Sequence, residues 1–513
     1  MTRAGKRYDL AIVGAGFGGA LLARLLAEQG RSVLLVERDR HPRNRIGEST
    51  TPLANLCLER IGRRYGLGDL VDLSAYGRWK RSQPELRCGL KRGFSFLKHQ
   101  LNTPYQVAGD NHNLMMVAAS PDDDCADTQW WRADVDYEFV RRAVASGVEY
   151  RDRCQVVDLL VNDDRVELVA QVDGQSTSWS AGFLVDASGG NFARQWLSVG
   201  EGKLETNTGL LAGHVRGVDN SHFAWPERTP YAPLSAAVHH LVADGWLYQL
   251  QFDNQNATDE QLASVGWVVR GGLPLEKLES GERVGLWREL LSDYPSLQRA
   301  LGCTKFIGPM VYKQRLQRRL ATAYGDHWVA LPSAYATIDP LFSTGIAWTL
   351  RGVERLAEVL AAQKVATERV AKYGQDVAQE CDQIDRLIAG AYQVINDVGR
   401  FFDYCALYFS LVSFAELQER LVLQDRATPG FLGSANPNCV ELIDCARNGD
   451  WEQAGFRPWL KRSLKPWNLL GLVEQERHNL YPVDLAVLRD RIALLGIEPS
   501  EFDRLLPLLR GTA

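Results

Sequence analysis

The glycine-rich segment GAGFGG at residues 14–19 carries the first chemical signal in the chain. It follows an apolar run at residues 8–13 and precedes leucines at helical spacing. Such a turn lets the backbone approach a pyrophosphate, and the start of the next helix offers free N–H groups to the phosphates. A second apolar run ends at Glu37, close to the interval of about 20 residues expected for a ribose-binding carboxylate. The spacing predicts a βαβ unit that binds a dinucleotide.

Two further segments indicate FAD rather than NAD. Residues 182–190 (GFLVDASGG) form a strand pattern that runs into a second glycine-rich turn, after a β-rich stretch at residues 154–179. This order is typical of FAD-dependent oxidoreductases. A third apolar run at residues 328–331 leads to the segment DPLFSTG at residues 339–345 and then to a helical pattern. We therefore expect three distant stretches to fold around one FAD.

Length, charge and cysteine usage exclude several other classes of protein. A chain of 513 residues suggests about two to four structural units. Its net charge of -5 gives no excess of positive charge for nucleic acid or an anionic membrane. No apolar run reaches about 18 residues, so no spanning helix is expected. The cysteines are scattered without a CxxC pair and the N-terminus lacks a signal-peptide core, which predicts a cytoplasmic protein without disulfides.

The segment IGESTTP at residues 46–52 is the most specific of three motifs through which residues 8–360 resemble the flavin-dependent halogenases. That family shares the fold of p-hydroxybenzoate hydroxylase, and in it a G-E-S/A-x-x-P segment lies beside the isoalloxazine ring. The resemblance implies that Glu48 and Ser49 contact the flavin. A hydroxyl of this segment can also cap the helix that follows, and the two roles are compatible.

Lys91 is the catalytic residue that the resemblance implies. It opens the segment KRGFSF, which is similar to the K-x-G-x-x-F motif of phenol and pyrrole halogenases. In that family reduced FAD and O₂ convert halide to hypohalous acid, which travels through a tunnel and is hydrogen-bonded by the lysine or held on it as a haloamine. Lys80 is the rival, because its interval from Glu48 is nearer that of tryptophan halogenases, but the residues that flank Lys91 match better. The surrounding segment is broadly basic, so a solvated surface charge is the alternative for either lysine.

The third motif is DPLFSTG, whose counterpart in the family lies under the flavin at the start of a helix. The resemblance places the backbone N–H groups of Thr344 and Gly345 near the flavin pyrimidine edge or a bound halide. Unpaired donors at a helix start also favour an anion on physical grounds alone. Tryptophan halogenases carry a glutamate just before the serine, where this chain has Phe342. That difference favours a phenol- or pyrrole-type substrate over free tryptophan.

Two stretches differ from the family pattern and keep other functions open. The motif G-W-x-W-x-I-P corresponds here to GWLYQLQ, in which Trp246 is kept and Tyr248 replaces the second tryptophan. Those tryptophans are thought to prevent direct oxygenation of substrate, so an FAD-dependent aromatic monooxygenase or dehydrogenase is the runner-up. Pro332 and Ser333 stand where the family has Gly-Asp, which suits loosely held flavin and keeps a non-catalytic flavin-binding protein as a third alternative.

The expected fold class is α/β. We predict a Rossmann-like FAD-binding domain of the p-hydroxybenzoate hydroxylase type, a substrate domain built on antiparallel β-sheet, and a helical C-terminal extension. The FAD-binding domain comprises residues 1–110, 150–200 and 305–360, the substrate domain comprises residues 111–149 and 201–304, and the helical region comprises residues 361–513.

The predicted function is halogenation of an electron-rich aromatic of the phenol, pyrrole or indole type in secondary metabolism. The expected cofactors are a halide ion and FAD that is reduced by a separate flavin reductase, and the substrate is either free or tethered to a carrier protein. We expect no metal, no nucleic acid or membrane partner, and a monomer or homodimer. Lys91 is the predicted catalytic residue. The predicted cofactor-binding residues are Gly14, Gly16, Phe17, Gly18, Gly19, Glu37, Arg38, Glu48, Ser49, Arg132, Asp339, Thr344, Gly345 and Ile346.

Overall fold

Two eight-stranded sheets, a three-stranded sheet, a two-stranded sheet and a helical C-terminal region make up the computed structural model, which describes residues 6–162, 165–190, 192–252, 254, 261–273, 278–423 and 426–509. The strands are β1 (Arg7–Val13), β2 (Val33–Val36), β3 (Cys88–Lys91), β4 (Gly93–Lys98), β5 (Leu114–Ala118), β6 (Asp127–Trp130), β7 (Glu149–Arg151), β8 (Cys154–Val161), β9 (Val166–Val172), β10 (Gln175–Asp186), β11 (Glu201–Gly202), β12 (Thr208–Arg216), β13 (Ala237–Val242), β14 (Gly245–Gln251), β15 (Ala263–Arg270), β16 (Lys305–Lys313), β17 (Arg318–Leu320), β18 (Tyr324–Gly325), β19 (Trp328–Ala330), β20 (Ala336–Thr337) and β21 (Leu480–Tyr481). The helices are α1 (Phe17–Glu28), α2 (Pro52–Tyr65), α3 (Gly68–Asp72), α4 (Tyr76–Ser82), α5 (Arg132–Ala145), α6 (Phe192–Trp196), α7 (Ser280–Ser292), α8 (Pro295–Leu301), α9 (Pro332–Tyr335), α10 (Gly345–Val359), α11 (Thr367–Val394), α12 (Val398–Leu417), α13 (Pro437–Asn448), α14 (Phe456–Ser463), α15 (Leu485–Arg491) and α16 (Phe502–Leu509).

The first sheet is mostly parallel and is built around β1. Its strand order is β18, β19, β10, β1, β2, β7, with β18 antiparallel at one edge and β8 and β9 forming an antiparallel extension of β10. Because both faces of this sheet are covered, β1 and β2 are apolar without alternation. The predicted strand, glycine turn, helix and strand are confirmed, and the turn lies at the carboxyl end of β1.

The second sheet is mostly antiparallel and has the order β16, β12, β15, β14, β13, β4, β5, β21. Successive side chains of a strand point to opposite faces. Along β14, Trp246 and Tyr248 pack into the core of the first sheet, whereas Leu247 packs into a separate core with side chains of α7 and α8. One face of the second sheet therefore closes over the nucleotide-binding part of the chain.

Three segments lie in a different layer from the one that the predicted domain boundaries give them. The strands β4 and β16 were expected in the FAD-binding segments, and both pair within the second sheet. The helix α5 was expected in the substrate domain, and it packs against α1 beside the glycine turn. Apolar strands and amphipathic helices look alike in whichever layer they pack, so local pattern alone does not separate these layers. Residues 1–5 and 510–513 of the predicted ranges lie outside the described residues.

The C-terminal region is held to the nucleotide-binding part by buried charges. Arg60 of α2 donates to Glu354 of α10 at 2.5 Å and to Glu419, which follows α12, at 3.0 Å. Arg351 of α10 also donates to Glu419, and all four side chains are buried. Removing one member of such a cluster leaves an uncompensated charge in the core. The apolar run at residues 401–415 is the buried centre of α12, and no helix within the described ranges is long and apolar enough to cross a membrane.

The glycine turn predicts a specific stability difference. Gly14 has φ +105°, and a Cβ atom there would lie 2.5 Å from the carbonyl oxygen of Ala187 at the end of β10. Gly30 also has a positive φ, +79°, but a Cβ atom there meets nothing within 4 Å. Both alanine variants strain the backbone, and only Gly14→Ala adds a clash, worth about 1–3 kcal/mol. We expect thermal unfolding to show a lower Tm for Gly14→Ala than for Gly30→Ala, and equal Tm values would contradict this packing.

Candidate active site

A cavity of about 270 Å³ lies between the glycine turn, the second sheet and the start of α10. We name it the first cavity. Several of the predicted cofactor-binding residues, from four separate parts of the chain, line it together. They are Phe17, Glu48, Ser49, Arg132, Asp339, Gly345 and Ile346.

Glu37 binds the glycine turn itself. Its Oε2 atom accepts hydrogen bonds from the Ala15 N–H at 3.0 Å and from Arg43 at 2.9 Å. Burial raises the pKa of Glu37, but Arg43 and the hydrogen bonds more than offset this and leave the pKa below its ordinary value. An ionised Glu37 therefore fixes the shape of the turn in addition to any contact with a ribose.

Two guanidinium groups lie beside the turn at Gly16. A Cβ atom at Gly16 would lie 3.7 Å from Arg132 and 4.0 Å from Arg43. Asp136 orients both groups, at 2.8 Å from Arg132 Nε and 2.9 Å from Arg43 Nη1, and also accepts from the Phe17 N–H at 3.3 Å. Both guanidinium groups are thus paired with carboxylates, and they lie beside a helix start, which favours the phosphates of a dinucleotide. No sequence motif had indicated Arg43, because it belongs to a loop with several arginines.

Arg38 does not join this group. Its side chain is 74% exposed, pairs with Asp39 and does not line the first cavity. Arg38 was predicted as a cofactor-binding residue because it follows Glu37, but the chain turns there so that Arg43 faces the nucleotide-binding turn instead. Arg43 therefore lies beside the turn, and the cofactor contact predicted for Arg38 stays a prediction.

The segment that carries Glu48 runs beside β6. Trp130 N–H donates to the Glu48 carbonyl at 2.7 Å, and the Thr50 N–H donates to the Thr128 carbonyl at 3.1 Å. The Glu48 carboxylate is 1% exposed and lies 2.8 Å from His214 Nε2 on β12. His214 was not predicted, because a single histidine in an apolar strand gives no signal of its partner.

The start of α10 faces the first cavity. Ser343 adopts φ +54°, which turns the chain into the helix, and a Cβ atom at Gly345 would meet nothing within 4 Å. The first N–H groups of a helix have no partner within it. Asp339 anchors this segment by accepting from Thr208 at 2.7 Å and from Tyr392 of α11 at 3.1 Å, and burial raises its pKa to about 6.

The residues around the first cavity fit a flavin. The Ser49 hydroxyl oxygen is buried and has no hydrogen-bond partner within the described part of the chain, so it is available to a group bound in the first cavity. The Thr344 hydroxyl is also unpartnered there, but Thr344 does not line the first cavity. Phe17 and Tyr248 add flat apolar surface, and the open side of Gly345 leaves room for a ring. Donors, cations and apolar surface are therefore arranged as a dinucleotide with a large ring system requires.

Lys91 is fully buried next to a second cavity. Its Nζ atom donates to the Thr50 carbonyl and lies 4.0 Å from the centre of the Phe94 ring. Strand pairing places Asp127 directly opposite Lys91. Burial lowers the pKa of Lys91 to about 8, although Asp127 opposes this shift.

The second cavity has a volume of about 110 Å³, and its lining combines three aromatic rings with aliphatic, polar and charged side chains. Phe94, Tyr408 and Phe409 line it, together with Thr51 and Asp127. Ser49 lines the first cavity and Thr51 lines the second, so the carbonyl of Thr50 that binds Lys91 lies in the wall between them.

His239 lies in the same wall. It lines the first cavity and stacks on Phe94 and Phe96 with ring centres 5.8 Å and 4.6 Å away. Burial lowers its pKa to about 3, so its ring is neutral. No role was predicted for His239, because a histidine in an apolar strand is more often structural than functional. Lys80, the rival of Lys91, is partly exposed on α4. Neither lysine lines either cavity, but Lys91 reaches the wall between them through its hydrogen bond to the Thr50 carbonyl.

Two family models match separate parts of this chain. A family model described as tryptophan halogenase matches residues 307–420, and one described as NAD(P)-binding Rossmann-like domain matches residues 12–54. Tetracycline 7-halogenase of Kitasatospora aureofaciens is 28% identical over 404 residues, which cover 76% of this chain and 71% of that protein. The halogenase PrnC of Pseudomonas fluorescens, which acts on monodechloroaminopyrrolnitrin, is 24% identical over 411 residues, covering 76% of this chain and 68% of PrnC.

A solved structure shares the fold over nearly the whole chain. The crystal structure of halogenase PltM with phloroglucinol and FAD is 24% identical and has a TM-score of 0.80. The match covers 92% of this chain and 99% of PltM.

Burial of Lys91 predicts how its replacement changes stability with pH. Between about pH 8 and the unfolded pKa of 10.5, the unfolded chain binds more protons than the folded one, so wild-type stability gains from Lys91 as pH rises. Lys91→Met loses this gain. It also removes the cation that lowers the pKa of Asp127, and the higher pKa of Asp127 likewise lowers the stability of the variant, relative to wild type, as pH rises. We expect the Tm of Lys91→Met, relative to wild type, to fall by a few degrees between pH 7 and pH 10.

The matched control is Lys80→Met, whose Tm relative to wild type should stay flat with pH. If the Tm of Lys91→Met relative to wild type is equally flat or rises with pH, burial does not lower the pKa of Lys91.

Proposed function

As this chain belongs to the flavin-dependent halogenase family, we propose that it halogenates an electron-rich phenol or pyrrole with reduced FAD, O₂ and halide. One observation supports the assignment of roles: Lys91 lines neither cavity itself but donates to the Thr50 carbonyl. The neighbours of Thr50, Ser49 and Thr51, line a cavity that fits a flavin and a cavity with three aromatic rings, respectively. The proposal gives each cavity one half of the reaction.

FAD in its reduced form supplies, with O₂, the oxidising power that converts halide to hypohalous acid. The residues of the chain bind and orient it: Arg43 and Arg132 hold the phosphates beside Gly16. The free N–H groups at Thr344 and Gly345 bind the flavin edge or the halide, because a helix start carries partial positive charge.

Lys91 holds the oxidised halogen in this proposal. Its ammonium donates a hydrogen bond to the oxygen of hypohalous acid, which polarises the bond between oxygen and halogen. The lowered pKa lets the same nitrogen give up a proton near neutral pH and so react as an amine. Phe94 lies against the nitrogen and keeps water from it.

The second cavity binds the aromatic ring. Tyr408 stacks on Phe342 with ring centres 4.0 Å apart, so Phe342 is part of the aromatic surface behind the cavity. Phe342 stands where tryptophan halogenases have a glutamate, and this supports a phenol or pyrrole rather than free tryptophan. A separate flavin reductase, a free or carrier-bound substrate, a monomer or homodimer and a cytoplasmic location complete the proposal.

The test is halogenation in vitro. Purified protein with a flavin reductase, FAD, NADH and bromide should convert phenol and pyrrole probes to brominated products, detected by mass spectrometry. Lys91→Met should lower the rate by about a hundredfold to a thousandfold, the usual effect of losing a donor at the reacting atom. It should leave flavin binding and peroxide release intact, since Lys91 does not line the first cavity.

Lys80→Met is the matched control and should keep wild-type activity. Loss of halogenation in Lys80→Met with retention in Lys91→Met would move the role to Lys80. Oxygenated product that forms without halide would replace the proposal with a monooxygenase, and rapid NADH oxidation by the chain alone would contradict the need for a reductase.

A further inference from the structure

Asp127 is a buried carboxylate with one oxygen left free. It begins β6 and is 2% exposed. Its Oδ1 atom accepts from the side-chain amide of Asn55 at 2.9 Å, and its Oδ2 atom has no hydrogen-bond partner among the residues that the structure describes. A buried carboxylate oxygen without a donor costs free energy, so its presence at the second cavity calls for a ligand that donates a proton.

We propose that Asp127 is a second catalytic residue, which accepts the hydroxyl proton of a phenolic substrate while the ring is halogenated. The inference rests on the proposed function and narrows its substrate class from phenol or pyrrole to phenol. Asp127 lines the second cavity beside Phe94, Tyr408 and Phe409, which suit an aromatic ring. Lys91 on β3 is paired directly with Asp127 on β6. Lys91 can therefore hold the halogen while Asp127 accepts the hydroxyl proton of the same ring.

The position of Asp127 is fixed by its neighbours. Asn55 on α2 holds Oδ1, and strand pairing with β3 holds the backbone. The free oxygen therefore has a defined direction although no described residue donates a hydrogen bond to it. A carboxylate held in this way is preorganised to accept a proton from a bound substrate.

Burial and the charges around Asp127 bring its pKa close to neutral pH. Burial raises the pKa of Asp127 to about 7, Lys91 and Arg420 lower it, and Glu416 raises it. Glu59 and Arg78 also line the cavity and pair with each other, and the Tyr408 hydroxyl is held neutral by burial. A general base works best when its pKa is near the operating pH.

The proposed step balances with hypohalous acid as the only oxidant. A ring carbon attacks the halogen held at Lys91, the carbon–halogen bond forms, and the halogen–oxygen bond breaks with its electron pair on oxygen. That oxygen takes a proton from the Lys91 ammonium and leaves as water, while the phenol O–H proton passes to Asp127. The resulting dienone loses its ring proton to the Lys91 amine, and Asp127 returns its proton to the phenol oxygen.

The experiment compares a phenol with its O-methyl ether, which has the same ring and no transferable proton. We expect wild type to prefer the phenol by a larger ratio than free hypohalous acid does. Asp127→Asn should lower the phenol rate by about a hundredfold and bring the ratio down to that of the free reagent. Asp123→Asn is the matched control, because Asp123 is half-exposed and pairs with Arg92, and it should keep the wild-type ratio.

A pH profile and a binding measurement separate catalysis from structure. The wild-type phenol rate should fall as pH falls through about 7, because protonated Asp127 cannot accept a proton, and Asp127→Asn should lack this limb. Without flavin, Asp127→Asn should bind phenol about tenfold more weakly and bind the ether unchanged. A variant that keeps both the ratio and the acidic limb would overturn the inference.

Two outcomes remain and each decides the question. If Asp127→Asn does not fold, a wild-type preference for phenol no greater than that of free hypohalous acid overturns the inference on its own. If wild type halogenates nothing, the proposed function fails, and the flavin-free binding of phenol and ether still tests Asp127.

Discussion

The burial of an amine in the wall between two cavities is the constraint on which the rest of the site depends. A lysine removed from water loses the hydration of its charge, and the protein must replace it. Here the Thr50 carbonyl, the face of Phe94 and the field of Asp127 take that role. The compensation is partial, so the pKa of Lys91 falls below its ordinary value.

The surrounding architecture keeps this wall in place. The segment with Glu48 is hydrogen-bonded along β6, and β6 pairs with the strand that carries Lys91. From the C-terminal side, Tyr392 of α11 joins Trp246 of β14 to Asp339, and α12 supplies the aromatic side of the second cavity. The buried charges between α2, α10 and Glu419 fix these helices against the nucleotide-binding part. Both cavities therefore need the helical region as well as the two sheets.

The sequence predicts the parts of this site that depend on local spacing. The glycine turn, the segment at residues 46–52 and the helix start at Gly345 are contiguous motifs, and the structure brings all three to one cavity. Lys91 could be chosen over Lys80 from its flanking residues, and its burial agrees with that choice, while its catalytic role stays a prediction.

Other parts depend on contacts between distant residues, which one sequence does not reveal. His214 meets Glu48 across 166 positions, and Asn55 meets Asp127 across 72. The same limit explains why β4 and β16 were expected in the other layer, and why Arg38 was chosen where Arg43 faces the turn.

A scavenger experiment tests whether the oxidised halogen crosses the wall at Lys91 without entering solvent. Wild type is supplied with reduced FAD, O₂, bromide and a phenol, and excess methionine is added to scavenge free hypobromous acid. If the halogen passes through the wall, product yield and the position of bromination stay unchanged as methionine increases. A yield that falls with methionine as steeply as it does for reagent hypobromous acid would contradict transfer through Lys91.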